Sequence, residues 1–311
     1  MKKEAFNEVW IQKLRPALVA LGELRLKERE AIIYGSTLAA IGIAIPILFP
    51  LKFLIGILIA LVFGGLGVSV YLHLHPKRFK ELYKTRVINT LLKETHYDWS
   101  HVPDAENADD IFKSSGLYNL KNSTSVVDDM FKASKEGVNL YAVETRVDMR
   151  EGKKTRVVFG GLAFRFDLGK EFRGQTYIIS EKEKRFYRAV GTHEVRGMGS
   201  DLGSTELEWN DFERLLHVET TDEREVREIL TPDFMLDLYE WWSEHGKFVR
   251  LSFKESHMYM VLPIRHTLFE PTVFGSIDKE KEILWSYLDA FLLAEKLLER
   301  IEYIYRYTVE G

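Results

Sequence analysis

Two runs decide the architecture: Ala31–Leu51, AIIYGSTLAAIGIAIPILFPL, and Phe53–Pro76, FLIGILIALVFGGLGVSVYLHLHP, parted only by Lys52. They hold 21 and 24 residues without a charged side chain, each beyond the roughly 18 apolar residues that mark a membrane-span candidate. At about 1.5 Å of rise per residue, about 20 residues cross the hydrocarbon core. Gly42, Gly56, Gly64, Gly65 and Gly67 would weaken a helix in water. In lipid they are tolerated and let two helices approach closely. Pro46 is expected to kink the first span, and Phe49-Pro50-Leu51-Lys52 leaves room only for a tight turn. The sequence therefore predicts a transmembrane helical hairpin over residues 31–75, with helices at about 31–49 and 53–73.

The alternative is a hairpin buried in a soluble core, but core helices seldom run this long without a polar face. A signal peptide is disfavoured, because the first run follows a long charged leader and no small-x-small cleavage site stands out.

Orientation follows from the flanks. Lys2, Lys3, Lys13, Arg15, Arg25, Lys27 and Arg29 precede the hairpin; Lys77, Arg78, Lys80, Lys84, Arg86 and Lys93 follow it; the turn holds Lys52 alone. The positive-inside rule then places both termini in the cytoplasm, as expected for a multi-pass protein of the cell (inner) membrane. Tyr34 and Tyr71 fall at the cytoplasmic ends, where amphipathic rings prefer the interface.

The whole chain has 311 residues, a net charge of −4, 46% hydrophobic and 29% charged side chains. That is room for two domains and too apolar for disorder. The charge is unevenly divided. Residues 1–93 carry 14 basic and 6 acidic side chains, so the remainder is strongly acidic. A basic collar suits anionic headgroups, whereas the acidic remainder is expected to stand off the membrane and to bind no nucleic acid. The absence of cysteine excludes disulfides, thiolate metal sites and thiol nucleophiles.

Residues 1–30 form an amphipathic leader helix in which Phe6, Trp10, Leu14, Leu18, Leu21 and Leu24 recur at helical spacing, bent or interrupted at Pro16. A juxtamembrane helix over 76–96 repeats the pattern with Phe79, Leu82, Val87, Ile88, Leu91 and Leu92. Two arrangements are open: the leader pairs with 77–95, or it lies in the headgroups.

The remainder, 97–311, reads as a cytoplasmic α+β domain. Residues 97–126 are polar and turn-rich, with a short helix at 108–114. Strands are expected at 138–147 and 155–166, the second loosened at Gly160-Gly161 by a bulge or a close backbone approach. Others are expected at 175–179, 185–190 and 205–209, with a hairpin at 248–253 and 257–262. Hairpin-length loops make the sheet antiparallel. Thr221-Asp222-Glu223 and Thr231-Pro232-Asp233 carry helix-start chemistry. A C-terminal helix at 278–305 has one apolar and one charged face. Packed helices beside an antiparallel sheet, without a repeating βαβ unit, define the α+β class.

Two stretches carry a family resemblance. The first is Val158-Phe159-Gly160-Gly161-Leu162 with Lys170-Glu171-Phe172-Arg173-Gly174-Gln175-Thr176. The second is Leu207-Glu208-Trp209-Asn210-Asp211-Phe212-Glu213 with the run Val218–Met235, whose Ile229-Leu230-Thr231-Pro232-Asp233-Phe234-Met235 is the most specific part. Over most of residues 75–275 the chain resembles the bacterial domain-of-unknown-function 3137 family. That resemblance implies a membrane hairpin before a cytoplasmic α+β domain. It implies no activity and no catalytic residue.

Motifs of chemistry are sparse. The histidines (73, 75, 96, 101, 193, 217, 245, 257 and 266) include no pair at i, i+4 and no His-Glu-x-x-His. His73 and His75 fall on different faces of a helix. Gly197–Gly203 lacks the spacing of a phosphate loop and reads as a linker. Asp109-Asp110 and Asp128-Asp129 read as helix caps rather than ligands, and Trp241-Trp242 as core. The sequence thus nominates no catalytic, cofactor-binding or metal-ligating residue, and no cofactor.

Three functions remain. The first is a non-enzymatic interaction or ligand-binding module, tethered by the hairpin to a lipid bilayer and engaging a protein partner or a second copy. The second is a membrane-surface enzyme whose site is no sequence motif. The third, an oligomeric pore, is disfavoured because the spans offer no charged residue to line it.

Overall fold

The computed structural model describes residues 3–48, 53–74, 78–102, 108–118, 123–151, 154–181, 203–204, 209–245, 249–264 and 269–307. The turn at 49–52, the strand expected at 185–190, nearly all of that expected at 205–209 and most of the 197–203 loop lie outside them. The chain divides into two compact units. One is the chain up to Leu91 with Phe269–Trp285; the other is Leu92–Leu268 with the chain from Ser286 onward.

The first unit is helical. It runs through α1 (Lys3–Val9), a π-helical turn (Trp10–Leu14), α2 (Arg15–Ala20), α3 (Gly22–Leu48), α4 (Phe53–Leu74), α5 (Phe79–Tyr83), a second π turn (Lys84–Ile88) and α6 (Asn89–Leu92). The leader departs from regular α-helix twice: a π-helical turn ends at Leu14, two residues before Pro16, and the helix breaks at Leu21. At Leu21 the backbone leaves the helix, and its N–H turns back to Leu18 O at 3.1 Å. Phe6, Trp10, Leu14 and Leu21 are buried, Phe6 against Trp285 with ring centroids 5.2 Å apart. α2 packs on the π turn Lys84–Ile88, so the leader pairs with the helical stretch that follows the hairpin.

Among the described residues two helices are long and apolar enough to cross a membrane, Gly22–Leu48 and Ile55–His73. They meet where side chains are absent. A Cβ on Gly67 would stand 2.5 Å from Gly35 O, and one on Gly42 would stand 2.4 Å from Phe63 Cβ. Their outer faces are apolar and bare; Ile47 is 76% exposed and Leu61 68%. Helices of a soluble core would bury those faces.

Among the described residues the second unit holds an antiparallel sheet of nine strands in the order β1-β2-β3-β4-β9-β8-β5-β7-β6. Along the chain come β1 (Ser100–Val102), α7 (Ala108–Ser114), β2 (Ser123–Lys135), β3 (Val138–Glu151), β4 (Lys154–Asp167), β5 (Thr176–Ser180) and β6 (Gly203–Ser204). Then follow α8 (Asn210–Leu215), β7 (Leu216–Thr220), α9 (Glu223–Ile229), α10 (Pro232–His245), β8 (Arg250–Lys254), β9 (His257–Pro263) and α11 (Ile277–Tyr307). The α+β class read from the sequence is the observed one. β2 departs from the expected turn-rich stretch and places Asp128-Asp129 within a strand, not at a helix cap.

Glu136 and Gly137, both with positive φ, close the β2–β3 hairpin, as a two-residue turn requires. Gly161 resolves the expectation at Gly160-Gly161 as a close approach, since a Cβ there would lie 2.2 Å from Leu262 O on β9. Register alternation splits the sheet into two apolar faces. Phe131 and Phe164 meet Phe291 of α11 edge-on, whereas Val143, Val147 and Phe159 pack with Phe112 of α7.

Candidate functional site

In the first unit, polar groups converge near the start of α3. The buried Glu280 carboxylate accepts the Tyr83 hydroxyl at 2.5 Å and the Thr272 hydroxyl. Burial pushes its pKa up, and the Tyr83 hydroxyl and the Arg25 charge oppose that shift. Arg25 donates to Val273 O at 3.4 Å and to Gly275 O. Lys80 pairs with Glu270 at 2.5 Å, which holds its ammonium above the ordinary range. The cavity lined by Arg25, Tyr83, Thr272 and Glu280 with Leu18, Leu21, Phe79 and Pro271 holds about 10 Å³, room for about one water molecule. The cluster is a clasp between helices and the 269–285 segment. It is too small to be a substrate pocket.

The second unit buries a comparable carboxylate. Glu295 accepts the His96 N–H at 2.9 Å, the Tyr97 N–H at 3.2 Å and the Trp99 indole N–H at 2.7 Å. Burial raises its pKa against those donors. Trp241 donates to Asp289 at 2.6 Å, and Asp237 pairs with Lys296 at 2.7 Å and Arg300 at 2.9 Å, so α10 is fastened to α11. Trp241 is buried, as expected of core, and Trp242 is half-buried.

The family-like stretches meet at one joint. Glu225, in the first turn of α9, accepts the backbone N–H groups of Arg173 and Gly174, both at 2.8 Å. Thr221 Oγ1 accepts the Gln175 N–H at 2.8 Å, and Asp222 caps α9 by accepting the Glu225 N–H at 2.9 Å. That bond holds the Asp222 carboxyl below the ordinary range. A Cβ on Gly174 would stand 2.7 Å from Thr221 Oγ1. This joint seats the entry to β5 on the start of α9 and engages both Glu225 oxygens with backbone donors.

Each histidine with a described ring contact to acid has a different partner. His101 lies 2.7 Å from Asp129, His257 3.3 Å from Asp167, and His96 3.6 Å from Glu295. His217 lies 3.0 Å from Glu219 and 3.8 Å from Glu181. Sequence reasoning missed these pairs. His217 and Glu219 were findable, because i, i+2 on a strand share a face. His101 and Asp129 were not, because they pair across β1 and the unread β2. Among the described residues no group of three or more His, Asp or Glu side chains is arranged to hold a metal. Asp109 and Asp110 fall in the first turn of α7; His75, His193 and His266 lie outside the described residues.

The fold and these clusters define a class: an α+β sheet domain carried on a chain with an apolar helical hairpin. The model of the family described as protein of unknown function (DUF3137) matches residues 157–302, which bears out the resemblance drawn from the sequence. No curated protein matches the chain. Among solved structures, the crystal structure of the mycobacterial trehalose monomycolate transport factor A, TtfA, is similar at 9% identity and a TM-score of 0.34. The likeness covers 70% of this chain and 95% of that one.

Proposed function

We propose that this chain is a membrane-anchored interaction module. The hairpin of α3 and α4 crosses the bilayer of the cell membrane with both termini cytoplasmic, and the acidic sheet domain engages a protein partner or a second copy without chemistry of its own. The observation that carries this reading is the pairing of a tight glycine-mediated inner contact with bare apolar outer faces on both helices. Lipid is the medium that makes such faces favourable. The excess of lysine and arginine on both flanks supports the orientation.

The chain has no cysteine, so single-cysteine variants report topology cleanly. In intact cells a membrane-impermeant maleimide is expected to label Lys52→Cys and to spare Lys13→Cys. Labelling of Lys13→Cys from outside sinks the orientation. Purification of the full chain from detergent extracts is expected to recover a stoichiometric protein partner or a homo-oligomer, and a bare monomer counts against the module.

A further inference from the structure

Arg25 donates to the carbonyl groups of Val273 and Gly275, tying the irregular segment 270–276 to α3. One turn nearer the uncharged run, the Arg29 guanidinium lies 5.8 Å from the centroid of the Phe274 ring. Phe274 is 59% exposed. Leu26, Arg29 and Ile33 share one face of α3 at three- and four-residue spacing, and all three are exposed.

The axial arithmetic places this patch. At about 1.5 Å per residue, Arg29 stands about 3 Å before Ala31, where the uncharged run starts. The polar layer outside each face of the hydrocarbon core is about 5–7 Å thick. A ring beneath Arg29 therefore lies within that layer whenever α3 spans the membrane.

We propose that the 271–277 segment is a third membrane contact, in which Phe274 and Ile277 enter the headgroup layer of the leaflet that α3 crosses and Arg29 meets lipid phosphate. It rests on the reading of α3 and α4 as spans. Lipid is the occupant because the patch continues along the same face of α3 through the exposed Ile33, Ile43 and Ile47. Exposed Lys27 and Arg29 border it with the charge that complements anionic headgroups. Aromatic rings beside basic side chains favour that depth.

The test uses the full chain in proteoliposomes of anionic and zwitterionic phospholipid. Three single-cysteine variants, each bearing an environment-sensitive fluorophore, are compared: Phe274→Cys, Leu61→Cys in the middle of α4, and Arg224→Cys on the surface of the sheet unit. Lipid with a nitroxide near the headgroup is expected to quench the Phe274→Cys probe strongly, and lipid with a nitroxide near the bilayer centre to quench the Leu61→Cys probe. The Arg224→Cys probe should respond to aqueous iodide alone. A Phe274→Cys probe quenched only by iodide, with the Leu61→Cys probe still quenched by lipid, overturns the third contact and leaves the spans standing. Loss of lipid quenching at Leu61→Cys overturns the spans themselves.

Discussion

Trp99 donates its indole N–H to the Glu295 carboxylate at 2.7 Å, and the same carboxylate accepts the backbone N–H groups of His96 and Tyr97. One buried side chain on α11 thus sets the conformation of the chain entering β1. Glu295→Ala leaves three donors without an acceptor, at about 1–3 kcal/mol for each one that stays buried. The expected loss is about 3 kcal/mol or more, read by denaturant unfolding of the full chain in detergent. Glu295→Gln keeps an acceptor and should lose less. An alanine variant as stable as the parent contradicts the assignment.

Glu280 makes stability depend on pH. Burial raises its folded pKa above the ordinary 4.5, so the folded chain holds that proton more readily than the unfolded one. The associated stabilisation is full below 4.5 and is lost as pH rises through the folded value. Glu280→Gln has no such proton. Melting temperatures of parent and variant, compared from acid to neutral pH, should shift against the parent as pH rises. A constant difference across that range rejects the prediction.

The hairpin contact discriminates among glycines. Gly67→Ala and Gly42→Ala push a methyl group against Gly35 O and Phe63 Cβ, whereas a Cβ on Gly65 meets nothing within 4 Å. Overpacking of this kind costs about 1–3 kcal/mol. The first two variants should unfold earlier in an SDS titration of the detergent-solubilised chain. Gly65→Ala should follow the parent curve.

The β5–α9 joint predicts a matched pair. Glu225→Ala strips the acceptor from the Arg173 and Gly174 N–H groups, for a loss of about 2 kcal/mol or more. Gly174→Ala attacks the same joint from the other side by crowding Thr221 and Asp222. Hydrogen exchange at residues 172–176 and 221–226 should quicken in both. Unchanged protection in both variants would mean the joint holds nothing together.

Much of the fold is legible because local chemistry is strong where it matters. Asp222 and Thr231 start α9 and α10 as cap residues do, with Thr231 Oγ1 accepting the Phe234 N–H at 3.3 Å. The apolar runs declare two long helices by length alone. β2 escapes because its better-buried positions, Ser125, Val127, Asp129, Phe131 and Ala133, are largely small or polar, and a register shift between Val127 and Asp129 breaks the alternation. Its buried Asp129 is matched by His101, a partner that only tertiary pairing supplies. The strand order is equally hidden, since β4 pairs with β9 across a long intervening stretch. The polar clasp escapes for the same reason: Arg25 and Glu280 come from opposite ends of the chain.

The membership of Phe269–Trp285 in the helical unit has a consequence for biogenesis. Roughly 180 residues are synthesised between Leu91 and Phe269, which takes roughly 10–40 s at about 5–20 residues per second. Through that interval Phe6, Tyr83 and Arg25 have left the ribosome without Trp285, Glu280 or the 273–275 carbonyls. The first segment to emerge is among the last to be completed, so a nascent chain halted before Phe269 leaves this unit without its closing segment and in need of a chaperone.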